Sequence, residues 1–210
     1  QIKYGGFQDA AGGGHFSGRL TAPLCIAGGL CKQWLEEMGI LIHARISCLG
    51  GQPDAEIDPV HPQIERIGCE FPVINPEAGA RMRETIAKAK ENQDSVGGIV
   101  ECIITNLPSG IGEPMFGGVE SKIASIVYGI PAVKAVEFGA GFSNAFYSGH
   151  ELNDTYTIEG GEIRTLTNYA GGILGGITNG MPVIFRAAIK PTPSISQPQQ
   201  SVSLSRGEIQ

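Results

Sequence analysis

The sequence predicts an α/β domain of the layered α+β kind, with helices and sheet packed together around one core. Three observations predict it. Some stretches carry apolar residues at helical spacing, and others carry short alternating or continuous apolar runs. The two kinds of segment are mixed along the chain without strict strand–helix–strand alternation. At 210 residues and 41% hydrophobic content, the chain is long enough for a single domain with a substantial core.

Each element follows from its own signals. Between Arg19 and Met38, Leu20, Leu24, Ala27, Leu30, Cys31, Trp34, Leu35 and Met38 recur at helical spacing, and Gly39 stands where a C-terminal cap belongs. "ILIHARISCL" reads as a strand from Ile40 to Leu49. Gly50 to Val73 has little periodicity and reads as loop. Asn75 as N-cap, Pro76 at the first helical position, Glu77 in the first turn, and Lys88 and Lys90 near the end mark a second helix. "GGIVECIITNL" reads as a strand, Val119 to Tyr128 as a helix and "AVKAVEFG" as a strand. "TYTIEGGEIRTLT" is a hairpin turning at Gly160 and Gly161. A last strand runs from Pro182 to Lys190, after the Asn179–Gly180 turn. The segment Pro191 to Gln210 is rich in Pro, Ser and Gln and lacks an apolar period, so alone it would be disordered or held only by a partner element.

Composition narrows the function classes. A net charge of −6 argues against nucleic acid or an anionic membrane as a general partner. No apolar run is long enough to cross a bilayer and the start does not resemble a signal peptide, which predicts a cytoplasmic protein. The five cysteines are dispersed, mostly in apolar segments, and include no CxxC, so reduced thiols are expected rather than a zinc cage or disulfide framework. Gln1 in place of Met suggests a processed chain or a fragment. Glycine is abundant, 31 residues, and clustered at Gly12, Gly139 and Gly171, where backbone must approach a ligand or another backbone closely.

Four stretches could carry chemistry. In "GGGHFSGRLTAP", glycines lead into His15, Phe16, Ser17 and Arg19 at a helix start, where backbone N–H groups, a hydroxyl and a guanidinium can bind an anion. A glycine turn with Ser17 as an ordinary N-cap explains the same residues equally well, and no Walker pattern is present. "GAGFSN" imitates a dinucleotide fingerprint, but Asn144 stands where the third glycine should be, which favours a strand-ending loop. "GGILGGITNG" is either a backbone lining for a flat ligand or a packing seam. "KPTPS" sets Lys190, Thr192 and Ser194 beside two stiffening prolines, either as a phosphate loop or as a solvated one. His43, inside an apolar strand, reads as structural. His61 and His150 have no partner visible in the sequence.

Taken in series, "KYGGFQDAAGGGHFSGRLTAP", "GIGEPMF", "PAVKAVEFGAGF", "NYAGGILGGITNGMP" and "AAIKPTPSI" resemble chorismate synthases from about Lys3 to Ile195. That resemblance divides the chain into one domain over 1–195 and a polar tail over 196–210. It implies a β-α-β sandwich, usually a homotetramer, that converts 5-enolpyruvylshikimate 3-phosphate into chorismate and phosphate. This 1,4-anti elimination requires reduced FMN without net redox change, and a separate flavin reductase is a possible partner. The resemblance places flavin contacts on His15, Phe16 and Ser17, with Arg19 facing the anionic substrate. Further flavin contacts fall on Pro131 and Ala132 (commonly Asn-Ala in the family), Gly175, and Lys190, Pro191, Thr192, Pro193 and Ser194. Pro131 removes a side-chain amide and leaves apolar or carbonyl contact.

The chain also departs from the family. Gly117 stands where aspartate often follows "EPMF". The family's amino-terminal part, with two site histidines and an arginine-rich segment, and its carboxy-terminal arginine–histidine–aspartate–proline block are not in this sequence. The expectation is therefore weak or no turnover by this chain alone. The alternative is a non-catalytic fragment or paralogue that keeps the flavin scaffold and oligomer contacts. A generic nucleotide-binding enzyme is disfavoured by the lack of a complete Rossmann or Walker signature.

Overall fold

The computed structural model describes residues 3–7, 9, 13–203 and 206–209. In chain order its elements begin with α1 (Thr21–Glu37), β1 (Leu41–Leu49), β2 (Gln52–Pro53), α2 (Pro76–Glu91) and β3 (Gly98–Thr105). Next come α3 (Val119–Val127), β4 (Val133–Phe138), the single turn α4 (Gly149–Leu152) and the hairpin β5 (Tyr156–Glu159) and β6 (Glu162–Thr165). The last are β7 (Ile173–Leu174), β8 (Ile177–Thr178), β9 (Val183–Ile189), β10 (Val202–Ser203) and β11 (Glu208–Ile209). Helices and an antiparallel sheet are mixed in the layered α+β manner expected.

The helix ends have local causes. Asn75 caps α2 by accepting the Glu77 N–H over 2.8 Å, with Pro76 beginning the helix. Its far end closes on Gln93, whose positive φ of 56° lets the Asp94 N–H return to the Ala89 carbonyl over 2.8 Å. Gly39 does the same for α1: at φ 81° it donates to Glu36, and Ile40 then donates to Leu35.

The central sheet runs β2-β1-β3-β9-β4, and each adjacent pair is antiparallel. Its register puts Arg45 opposite Glu101, Glu101 opposite Arg186, and Arg186 opposite Glu137. A row of alternating charge therefore crosses four strands. Arg45 Nε donates to Glu101 over 2.6 Å, and Arg186 Nε pairs with Glu137 over 2.8 Å. Arg45 also reaches Asp54 over 2.9 Å, with its own side chain 4% exposed and that of Asp54 fully buried. Such a row fixes register, because a one-residue slip would put each charge on the opposite face.

Beside this row lies the apolar core of Ile57, Ile74, Ile103 and Ile184, with Ala55, Ile64 and Ile67 packed against it. The segment from Gly50 to Val73 is mostly loop, as expected, but it is the lid of this core rather than a solvated connection. Asp54 pins the end of that lid by accepting the Ile74 and Asn75 N–H groups over 2.7 and 2.9 Å. The segment also contributes β2, which its two residues gave no period to reveal.

Two further regions are shaped by the elements around them. The polar tail is partly held: β10 and β11 form a short ribbon, and Gln197 donates to the Asn92 carbonyl over 2.6 Å. Residues 204, 205 and 210 of that tail lie outside the described residues. Cys25, Cys31 and Cys69 are exposed, because α1, which carries two of them, buries none of its residues. Leu24, Ile26, Leu30 and Trp34 of that helix stand open, Trp34 at 66%. No helix of the described residues is long and apolar enough to cross a membrane.

Candidate functional site

The β4–β9 pair ends where Val133 faces Ile189, and one step beyond, the Lys190 N–H donates to the Ala132 carbonyl over 2.9 Å. Two separate expectations, the Pro131–Ala132 pair and the Lys190–Ser194 loop, are thus joined by a backbone bond. Ala132 sits at φ 72°, a left-handed conformation that an L-residue with a Cβ adopts at a cost. Two residues on, Lys134 lies in a break of the β4 register between Val133 and Ala135. A bulge of this kind bends the strand locally, and the Lys190–Ala132 bond closes the pair beyond it.

From Lys190 the chain is held by its backbone. The Thr192 carbonyl accepts Ser95 Oγ over 2.7 Å, and the Pro193 carbonyl accepts the Ile195 N–H over 3.1 Å. Gly97 lies so close beneath that a Cβ there would come within 2.6 Å of the Ile189 carbonyl. By contrast, the Lys190 ammonium and the Thr192 and Ser194 hydroxyls make no hydrogen bond or ion pair among the described residues, and all three residues are exposed. A fixed backbone presenting one uncommitted cation and two uncommitted hydroxyls is suited to a phosphate group.

The glycine cluster at 171–176 is mostly a packing seam. β7 and β8 form a hairpin turning at Gly175 and Gly176. A Cβ on Gly176 would stand 2.5 Å from the Glu113 carbonyl, and its own carbonyl accepts the Val119 N–H over 2.9 Å at the start of α3. A Cβ on Gly171 would stand 2.4 Å from the Gly139 nitrogen. These positions are a packing seam. Gly175 is different: it is exposed, and a Cβ there would meet nothing within 4 Å, so its backbone face is open to a flat ligand. "GIGEPMF" and "GGILGGITNG" pair through a bridge between Gly112 and Ile177.

The opening stretch is a pair of single-turn helices, Gly14–Phe16 and Gly18–Leu20, leading into α1. Ser17 caps the second by accepting the Arg19 N–H over 3.3 Å, so the glycine-turn-and-cap explanation holds for its hydroxyl. The His15 and Phe16 rings lie 4.3 Å apart, with Tyr4 edge-on to both at 5.1 and 5.8 Å. Arg19 is exposed. Among the described residues, the hydrogen bonds and ring contacts of His15, Phe16 and Ser17 are with each other, with Tyr4 and with residues 13–21, and none is with Ala132, Gly175 or Lys190. Gly12 lies outside the described residues. "GAGFSN" leaves β4 and runs into a six-residue 3₁₀ helix, Gly141–Phe146, with the Phe142 N–H donated to Glu137 over 3.0 Å.

The charge row across the sheet was not singled out in the sequence. It lines a cavity of about 650 Å³ together with Asp54, Asn168 and Tyr169. Asn168, 2% exposed, donates to the Pro59 and Pro182 carbonyls and accepts the Gly172 N–H, tying the glycine seam to the core lid. The signal that could have found the row is a charged residue, Arg45, Glu101, Glu137 or Arg186, inside each of four largely apolar strands. Burial, and then the nearby Lys32 charge, hold the half-buried His43 imidazole below the usual value. Burial pushes the Cys102 thiol on β3 up to about 11.

Comparison with known proteins places this geometry. The family model described as chorismate synthase matches residues 1–210. The chain is 46% identical over 209 residues to a chorismate synthase of Thermococcus kodakarensis, covering 99% of this chain and 57% of that protein. It is 47% identical over 206 residues to one from Pyrococcus abyssi, covering 97% of this chain and 56% of that protein. A solved structure described as a crystal structure of chorismate synthase superposes with a TM-score of 0.78 at 30% identity, over 84% of this chain and 57% of that one. The chain thus spans somewhat more than half the length of the relatives it matches.

Proposed function

The chain belongs to the chorismate synthase family, and from that premise we propose that it forms the FMN-holding part of a chorismate synthase site. In this reading Lys190, Thr192 and Ser194, with Pro191 and Pro193 stiffening the loop, hold the cofactor's phosphate. Ala132 and Pro131 line the adjoining edge, and Gly175 gives a flat backbone face. His15, Phe16 and Ser17 contribute from the opening stretch, and Arg19 faces the anionic 5-enolpyruvylshikimate 3-phosphate. The observation that carries the reading is the Lys190–Ser194 loop, whose backbone is fixed while its cation and hydroxyls are unpaired among the described residues.

When bound, reduced FMN supplies the electron-rich partner that the 1,4-anti elimination of phosphate requires. The chain's own contribution is electrostatic and positional. An acidic protein must gather cations locally to hold a dianion, and Lys190 at the open end of β9 does so without a carboxylate bound to it. A lysine and hydroxyls bind anions and do not accept a proton at neutral pH, so this loop holds the phosphate rather than moving a proton. The exposed apolar side of α1 supports assembly into the family's homotetramer. Sedimentation showing only monomer at every concentration contradicts that part.

The test is an anaerobic titration of the chain with reduced FMN and 5-enolpyruvylshikimate 3-phosphate. A saturable change in the flavin spectrum, with chorismate formed far more slowly than by a full-length relative, is expected. No saturable change refutes the proposed role.

A further inference from the structure

Behind the Lys190–Ser194 loop, the chain meets the C-terminal end of α2 through a set of single hydrogen bonds. Ser95 Oγ donates to the Thr192 carbonyl over 2.7 Å, while the Ser95 N–H is itself fixed by Asp94 Oδ1 over 2.8 Å. The Ser196 N–H donates to the Gln93 carbonyl over 3.2 Å, and Gln197 Nε2 donates to the Asn92 carbonyl over 2.6 Å. Gln199 Nε2 reaches back to the Pro193 carbonyl over 3.2 Å. Residues 196–199 therefore act as a strap between the end of α2 and the back of the loop.

Side-chain packing adds little here. A cavity of about 560 Å³ separates Ile86 and Lys90 of α2 from Ser194 and Ser196. Its presence leaves the hydrogen bonds as the main tie between helix and loop. Among the described residues, the Ser95–Thr192 bond is the one that joins the end of α2 directly to the loop between Lys190 and Ser194, while Gln199 reaches Pro193 only from the strap. A loop that holds an anion with one cation and two hydroxyls loses affinity when its backbone drifts, because each donor must then be reordered on binding.

We infer that Ser95 is a positioning residue for this loop: its hydroxyl sets the Thr192 backbone, and through it the anion affinity of Lys190, Thr192 and Ser194. The inference rests on the reading of the loop as the FMN phosphate site. It adds to that reading a residue on a different element, at the end of α2, that touches no ligand.

Binding of FMN and of riboflavin, which lacks the phosphate, is measured for the unaltered chain, Ser95→Ala, Ser95→Thr and Lys190→Ala, with amide exchange followed at Ser196. Ser95→Ala is expected to weaken FMN about fivefold, the equilibrium change that one net hydrogen bond is worth. It should leave riboflavin unchanged and speed exchange at Ser196, while Ser95→Thr, which keeps a hydroxyl, retains FMN affinity. Two results overturn the inference alone: FMN affinity unchanged in Ser95→Ala while Lys190→Ala weakens it, or FMN and riboflavin weakened equally by Ser95→Ala. If Lys190→Ala also leaves FMN affinity unchanged, or the unaltered chain does not bind FMN, the loop is not the phosphate site and the inference falls with that reading.

Discussion

The Lys190 N–H is bonded to the Ala132 carbonyl over 2.9 Å, and Ala132 holds a left-handed backbone at φ 72° to make that bond possible. The end of the β4–β9 pair is therefore shaped by a residue that is not glycine in a conformation glycine prefers. Replacing Ala132 by Gly removes the Cβ clash, worth about 1 kcal/mol, and should raise Tm. A clear fall in Tm would show that the Cβ contributes packing that outweighs the strain.

The charge row makes a sharper stability prediction. Arg45→Ala leaves the carboxylates of Asp54 and Glu101 buried without their cation, and removing one partner of a buried pair costs about 3–5 kcal/mol. Urea denaturation should show that loss. A change within about 0.5 kcal/mol, as expected of an ordinary surface substitution, would mean that water reaches the pair.

Gly175 and Gly176 are neighbours in sequence, with positive φ at both, but they differ in what surrounds them. Gly176→Ala drives a Cβ to 2.5 Å from the Glu113 carbonyl, whereas Gly175→Ala meets open space. The first should destabilise the chain well beyond the second, which carries only the left-handed penalty of about 1–2 kcal/mol. Equal losses in thermal melts would contradict the packing seam.

Cys102 gives a pH signature. With its thiol pushed up to about 11 from an ordinary 9.0, it stays protonated in the folded chain where an exposed cysteine has begun to ionise. At pH 8.5, iodoacetamide should modify Cys25, Cys31 and Cys69, which are exposed, long before Cys102. By linkage, the folded state holds this proton more tightly than the unfolded chain. The associated stability is thus present below pH 9.0 and is lost as pH rises towards about 11. Early alkylation of Cys102, read by peptide mass spectrometry, would contradict this.

Much of the fold was legible from local signals. The α2 helix was readable because its cap, its first-turn proline and its last-turn lysines are residue types with one local job each, and Asn75 performs it. β1, β3, β4 and β9 were readable from apolar runs, but their pairing was not, since β9 inserts between β3 and β4 from the far end of the chain. The same long-range pairing hid the charge row: Arg45, Glu101, Glu137 and Arg186 become a unit only once the register is known. Pro131–Ala132 and Lys190–Ser194 were named through a family resemblance, and their adjacency through one backbone bond is a property of the fold. The opening stretch stayed ambiguous because a glycine turn with a serine cap and an anion-binding helix start use the same residues. The Ser17 hydroxyl bonds the Arg19 N–H, and that geometry is compatible with either use.

The central claim is that the uncommitted cation and hydroxyls after β9 hold the phosphate of a flavin. The most direct measurement is the ratio of FMN to riboflavin affinity in the unaltered chain and in Lys190→Ala, by calorimetry in low salt. The account predicts that FMN binds more tightly than riboflavin, and that the advantage largely disappears in Lys190→Ala while riboflavin affinity stays the same. An unchanged ratio in Lys190→Ala would contradict it.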